Sequence, residues 1–187
     1  MNARIDSDAL LVFSREALAA AGLRDDLARS GGLCVWLATM RGVDSHGVRL
    51  LPHYAAGLAE GRLTRDPEMR FVRGASAVGA LDADHTLGHA ACAMAMDHAM
   101  DMARDSGIGL ESVRNSSHCG ALAGFTLRAA EGGMIGLSST HATAKLLSAR
   151  GTRPFFGTNP FCIAAPMAGE GPFCFDSAIS AITMNRV

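Results

Sequence analysis

Apolar residues recur at helical spacing over the first third of the chain and at strand-like spacing beyond it. Residues 7–21 read as a helix, with Asp6 or Ser7 placed to cap its start and Gly22 to end it. A second helical pattern covers residues 25–40, weakened by the Gly31-Gly32 pair. A third begins after Pro52 and ends near Gly61. Near Pro67 the texture changes. Residues 69–72 and 77–81 are expected as short strands pairing in a hairpin around Gly74. Residues 87–106 form the clearest helix, with Asp97, Asp101, Arg104 and Asp105 on one polar face and small apolar residues and methionines on the rest. A strand at 108–113, a helix at 121–131 and a strand at 134–139 follow, with further strands at 161–165 and 172–175. Strand–helix–strand alternation from Gly107 onward predicts an α/β layer. The chain therefore divides into a helical N-terminal lobe, residues 1–66, and an α/β unit, residues 67–187.

Composition narrows the classes of function. Hydrophobic residues make up 49% of the 187 positions and charged ones 19%, which supports a packed core and excludes a disordered chain. A formal net charge of −1 leaves no basic footprint for nucleic acid and no attraction to an anionic membrane. Aromatics at 5% provide no base-stacking platform. The most apolar stretch, residues 87–102, is interrupted by Asp97 and Asp101, so no membrane span is expected. The first residues do not read as a signal peptide. Cys34, Cys92, Cys119, Cys162 and Cys174 are odd in number and form no CxxC pair, as expected of reduced thiols in a cytoplasmic protein.

Three stretches can carry chemistry. In GVDSHGVRLLPHY, residues 42–54, Ser45 can orient His46, a group able to donate or accept a proton near neutral pH. Arg49 could clamp a carboxylate with its planar fork. On chemistry alone a helix-capping turn with a surface arginine is favoured there. In VRNSSHCGALAG, residues 113–124, His118 lies at a strand-to-helix junction, where free N–H groups and the helix dipole suit an anion such as a cofactor phosphate. Gly120 and Gly124 permit close backbone approach. An ordinary loop explains the same residues. A Cys119–His118 nucleophile is disfavoured, because adjacent side chains rarely meet in the required geometry. In FFGTNPF, residues 155–161, strong turn chemistry surrounds Thr158, which could also contact a ligand. There is no GxGxxG after a strand and no GxxxxGK[ST]. His85 and His89, four apart, offer a minor metal-site possibility with Asp82 and Asp84, and with it a remote metal-dependent hydrolase reading.

Taken together and in order, GVDSHGV, LPHY, LDADHTLGHAACAMAMDHAM, GIGLESVRNSSHCGALAG, GTNPFCIAAP and PFCFDSA resemble the malate/L-lactate/ureidoglycolate dehydrogenase family, from about residue 7 to 187. The resemblance implies a helical domain with a mixed-sheet, non-Rossmann cofactor-binding domain. It also implies a homodimer using NADH or NADPH on small 2-oxo or 2-hydroxy acids, or on cyclic imino acids. Ser45 and His46 would form a relay and acid/base pair, with His118 the other candidate for proton transfer, behind His46. Thr158 would contact substrate. His118, Cys119, Gly120, Ala121 and Leu122 would lie near the cofactor, as would Asp176, Ser177 and Ala178. No metal is implied.

Several positions depart from that pattern. Leu50 stands where arginine is common, and Arg49 falls one residue early. His141 replaces a frequent asparagine, Ala144 and Ser148 replace prolines, and Arg150 replaces one glycine of a pair. Arg186 occupies the place where some members carry an aspartate that holds the histidine's proton, a task arginine cannot perform. Family members also continue well past Val187, which points to a truncated product or fragment and to an alternative reading as a non-catalytic remnant.

Overall fold

A computed structural model describes residues 4–180. The first helix, α1 (Ser7–Ala20), starts where Asp6 Oδ1 accepts from Ala9 N at 2.9 Å and stops at Gly22, whose φ of +94° suits glycine. In α2 (Asp25–Met40) the two glycines are contact points and not weak points. A Cβ at Gly32 would lie 2.8 Å from the backbone N of Arg15, and one at Gly31 would lie 2.6 Å from Leu87 Cδ2. Helix propensity is given up here for close approach of α1 and of Leu87. Two short 3₁₀ turns, Asp44–His46 and Val48–Leu50, lead into α3 (Leu51–Ala59), with Pro52 in its first turn. Leu18, Leu27, Val35, Tyr54, Leu58 and Leu87 form one core among these helices.

The hairpin pairs β1 (Arg70–Ala75) with β2 (Val78–Asp82) in antiparallel register, Phe71 opposite Leu81. Gly74 sits at a register shift and not at the turn, which falls between the strands. From β2 the chain crosses through α4 (Gly88–Ser106), closed by Gly107 at φ +78°, to β3 (Leu110–Arg114), which pairs parallel with β2. This first sheet is therefore mixed, in the order β1-β2-β3. The expected polar face of α4 is only partly solvated. Asp97 takes both Arg128 nitrogens of α5 (Ala123–Glu131), at 2.9 and 2.6 Å, and ties the two helices together.

The second sheet, β4-β7-β8, joins β4 (Gly136–Ser139), β7 (Phe161–Ala165) and β8 (Phe173–Ser177), all antiparallel. Its Cys162 and Ala164 are buried in the core that includes Leu122 and Phe125. Across the strands, Leu137, Ile163 and Phe175 stand opposite one another, and Leu137 and Phe175 remain exposed. Sequence reasoning did not anticipate a third, two-stranded sheet of β5 (Leu146–Leu147) and β6 (Pro154–Phe156). These strands are too short for a period-two pattern to declare itself. The strand limits also differ from those expected: β3 starts two residues later, and β8 runs to Ser177. No helix among the described residues is long and apolar enough to cross a membrane.

Candidate functional site

The loop after β3 carries His118, and several contacts pin it. Asn115, at φ +49°, donates to both carboxylate oxygens of Asp82 at 3.1 and 3.0 Å, and its carbonyl accepts from His85 N at 2.7 Å. Ser117 Oγ accepts from Gly88 N at 2.9 Å, supplying α4 with a partner for one of its first N–H groups. Gly88 is required by the same contact. A Cβ there would lie 2.2 Å from Ser117 O and 2.8 Å from His118 O.

Four rings then meet. His46, at the end of a 3₁₀ turn, stacks on His118 with centroids 5.4 Å apart and planes at 21°. Tyr54 of α3 stacks on the same imidazole at 6.0 Å, and its Oη lies 2.9 Å from His118 Nδ1. His89 of α4 meets Tyr54 edge-on at 5.0 Å and His118 at 6.1 Å. Ser45 Oγ is 2.8 Å from His46 Nδ1, so the Ser45–His46 pair expected from the sequence is formed.

Burial shapes the electrostatics. His89 is 1% exposed, and its pKa falls to about 3 through desolvation and the nearby His118 and His46. His46 is lowered by burial and partly restored by Asp176. His118 is lowered by partial desolvation, then by His46 and His53. His118 is itself exposed to solvent, which softens the shift. Burial raises the Tyr54 phenol, which stays protonated.

Asp176, near the end of β8, links this cluster to α5. Its Oδ2 accepts from Ala123 N at 2.8 Å, so the helix terminus offered to an anion is already capped by a carboxylate of the chain. Desolvation raises Asp176, while the backbone N–H groups of Ala123 and Leu122, His46 and Arg41 oppose that rise. The Thr158 turn joins the same region, its carbonyl accepting from Ile179 N at 3.0 Å, directly after Ala178. Ser177 turns its hydroxyl to Ala178 O at 2.9 Å.

The remaining sequence candidates divide. Cys119 and Leu122 are buried in the core beside Ala123, and Cys119 takes a hydrogen bond from Cys92 that lowers its pKa. Among the described residues no hydrogen bond joins Cys119 to His118, whose Nδ1 is engaged by Tyr54. Gly120, at φ +70°, lies against His89, whose Nε2 would be 2.2 Å from a Cβ there. Ala121 precedes the first turn of α5. Arg49 is exposed and has neither ion pair nor hydrogen bond among the described residues. His85 is exposed while His89 is buried, and the described residues hold no group of three metal-ligating side chains. Arg186 lies outside the described residues. Tyr54 escaped sequence reasoning, although it is the lone tyrosine and lies in the LPHY segment, and His89 entered it only as a possible metal ligand.

An α/β fold with a helical lobe brings two stacked imidazoles together with a serine and a half-buried carboxylate, groups able to handle protons, without a Rossmann phosphate loop. Comparison with known proteins places it. A family model for malate/L-lactate dehydrogenase matches residues 5–187, and the chain belongs to that family. Malate dehydrogenase of Pyrococcus abyssi is 34% identical over 98% of this chain and 51% of its own length. Ureidoglycolate dehydrogenase (NAD(+)) of Escherichia coli K12 is 29% identical over 98% of this chain and 53% of its own. The structure of malate dehydrogenase from Pyrococcus horikoshii OT3 superposes with a TM-score of 0.94 at 33% identity, covering 98% of this chain and 53% of that one. The chain thus spans about half the length of the curated relatives it matches.

Proposed function

We propose that this chain carries the proton-transfer half of an NADH- or NADPH-dependent oxidoreductase acting at C2 of a small 2-oxo or 2-hydroxy acid, or of a cyclic 2-imino acid. The reading rests on the stack of His46 on His118 at 5.4 Å, with Ser45 behind His46. The residues fit such a cofactor by their donor chemistry. His46 lies in the field of Asp176, and the end of β8 is joined to the Thr158 turn, so that Asp176, Ser177, Ala178 and Thr158 can hold a polar ring and a small acid. When bound, the nicotinamide supplies the hydride. His46 supplies the proton to the C2 oxygen or nitrogen in reduction and takes it back in oxidation, while Ser45 Oγ accepts from Nδ1–H of the charged ring. Asp176 favours that charged form by its field. Arg49, exposed and without an ion pair among the described residues, is placed to bind the acid's carboxylate. The family resemblance supports a cytoplasmic homodimer.

One observation favours a second reading, in which the chain alone turns nothing over: Leu137, Phe173 and Phe175 leave one face of the second sheet open. Oxidation of NADPH and NADH by the purified chain, with a panel of 2-oxo acids and a cyclic imine, separates the two. Turnover that falls by about 10²–10⁴-fold in His46→Ala, with cofactor binding retained, supports the enzyme. Turnover at full rate in that variant removes His46 from the role. No oxidation with any pair, together with aggregation in size-exclusion chromatography, favours the second reading.

A further inference from the structure

The two site histidines have different partners at the same ring atom. His46 Nδ1 faces Ser45 Oγ at 2.8 Å, and His118 Nδ1 faces Tyr54 Oη at 2.9 Å. Tyr54 is 2% exposed and held edge-on by His89, and His118 Nδ1 is its hydrogen-bond partner among the described residues. Were His118 to donate from Nδ1, the phenolic O–H would be left buried without an acceptor.

We propose that Tyr54 is a positioning residue that locks His118 in one neutral tautomer, with Nδ1 bare and Nε2 protonated. His118 then serves the site as a fixed hydrogen-bond donor, and proton transfer falls to His46. Charging His118 would require a proton on Nδ1, the atom Tyr54 already fills with its own. Passing the Tyr54 proton along the ring would leave a buried phenolate, which the site disfavours. The tautomer follows from hydrogen bonding alone, whereas the division of labour rests on the hydride-transfer reading above.

The tautomer is read from long-range ¹H–¹⁵N spectra of the full chain labelled at histidine, with His118 assigned from the signal missing in His118→Gln. The expected wild-type pattern is a single neutral form with a bare Nδ1 and a protonated Nε2. Tyr54→Phe should replace it with exchange between both tautomers. An Nδ1–H form or a tautomer mixture in the wild type overturns the proposal without need of any variant. An unchanged single form in Tyr54→Phe overturns it equally. The division of labour has its own readout. Gln at position 118 keeps an N–H donor, so His118→Gln should raise KM and leave the pH limb of kcat in place. Loss of that limb in His118→Gln, with its survival in His46→Ala, would transfer the proton to His118. Absence of turnover in the wild-type chain would sink the hydride-transfer reading and leave the tautomer result standing.

Discussion

His89 should make the fold acid-sensitive in a way that one substitution removes. Its ring is buried in the core, and neither nitrogen has a hydrogen-bond partner among the described residues. Its folded pKa is about 3, against about 6.5 in an open chain. A depressed histidine pKa contributes stability that is present above the unfolded value and is lost as pH falls toward the folded one. Between pH 6 and pH 4 the unfolded chain binds a proton at residue 89 and the folded chain does not. Stability should therefore drop by about 1.4 kcal/mol per pH unit from this residue alone. Across those two units the loss is roughly 2–3 kcal/mol, a large share of the ~5–15 kcal/mol typical of a domain. Leucine has similar bulk and no titrating group. His89→Leu should be neutral or slightly stabilising at pH 7, since it removes two unpaired polar atoms, and its stability should fall less steeply with acid. Urea unfolding followed by the single tryptophan, Trp36, which is tied to α1 through Ser7 O, reports the change. Equal acid slopes in wild type and variant would refute the reasoning.

Further expectations concern the supports of the site. Gly88→Ala drives a Cβ to 2.2 Å from Ser117 O, far inside the ~3.5 Å contact distance, and the clash is with backbone. A loss of about 1–3 kcal/mol, and a melting point lower by roughly 2–12 °C, should accompany weakened His46–His118 stacking, and an unchanged melting point would show that the loop yields freely. Asp176→Ala removes the side-chain acceptor at the start of α5 and should cost about 0.5–2 kcal/mol in a urea titration. Asp176→Asn can keep the hydrogen bond but loses the charge. Because Asp176 is raised in the fold, wild-type stability declines as pH climbs through the carboxylate range, and the asparagine variant should lack that component. It should also shift the reductive pH limb of His46 downward, since the field favouring the charged ring is gone. An unmoved limb would separate Asp176 from His46.

The sequence announced the elements better than the contacts. Caps such as Asp6 and stops such as Gly22 and Gly107 act within a turn of their own position, so local chemistry suffices to read them. Gly31 and Gly32 look like helix breakers by the same local rule. Their purpose depends on Arg15 and Leu87, which are brought to them by folding. Ser45 and His46 are neighbours in sequence, and the bond between them was legible. Tyr54 and His118 are separated by 64 positions, and nothing local marks them as a pair. The start of α5, read from the sequence as open to an anion, meets a related circumstance, because Asp176, 53 residues on from Ala123, supplies a carboxylate to one of its N–H groups from within the chain.

The same distinction bears on the two histidines. Each lies next to a small polar motif, and residue type alone gives them equal claim to the proton. What separates them is the partner at Nδ1, a property of the fold that sequence spacing does not encode. His118 faces the hydroxyl of a buried tyrosine wedged against His89, which keeps its proton and fills that ring atom. Acid/base capacity therefore follows the partner at the ring as much as the ring's own affinity for a proton. On the proposed reading the changing charge falls to His46, where Asp176 can support it, and the constant dipole to His118.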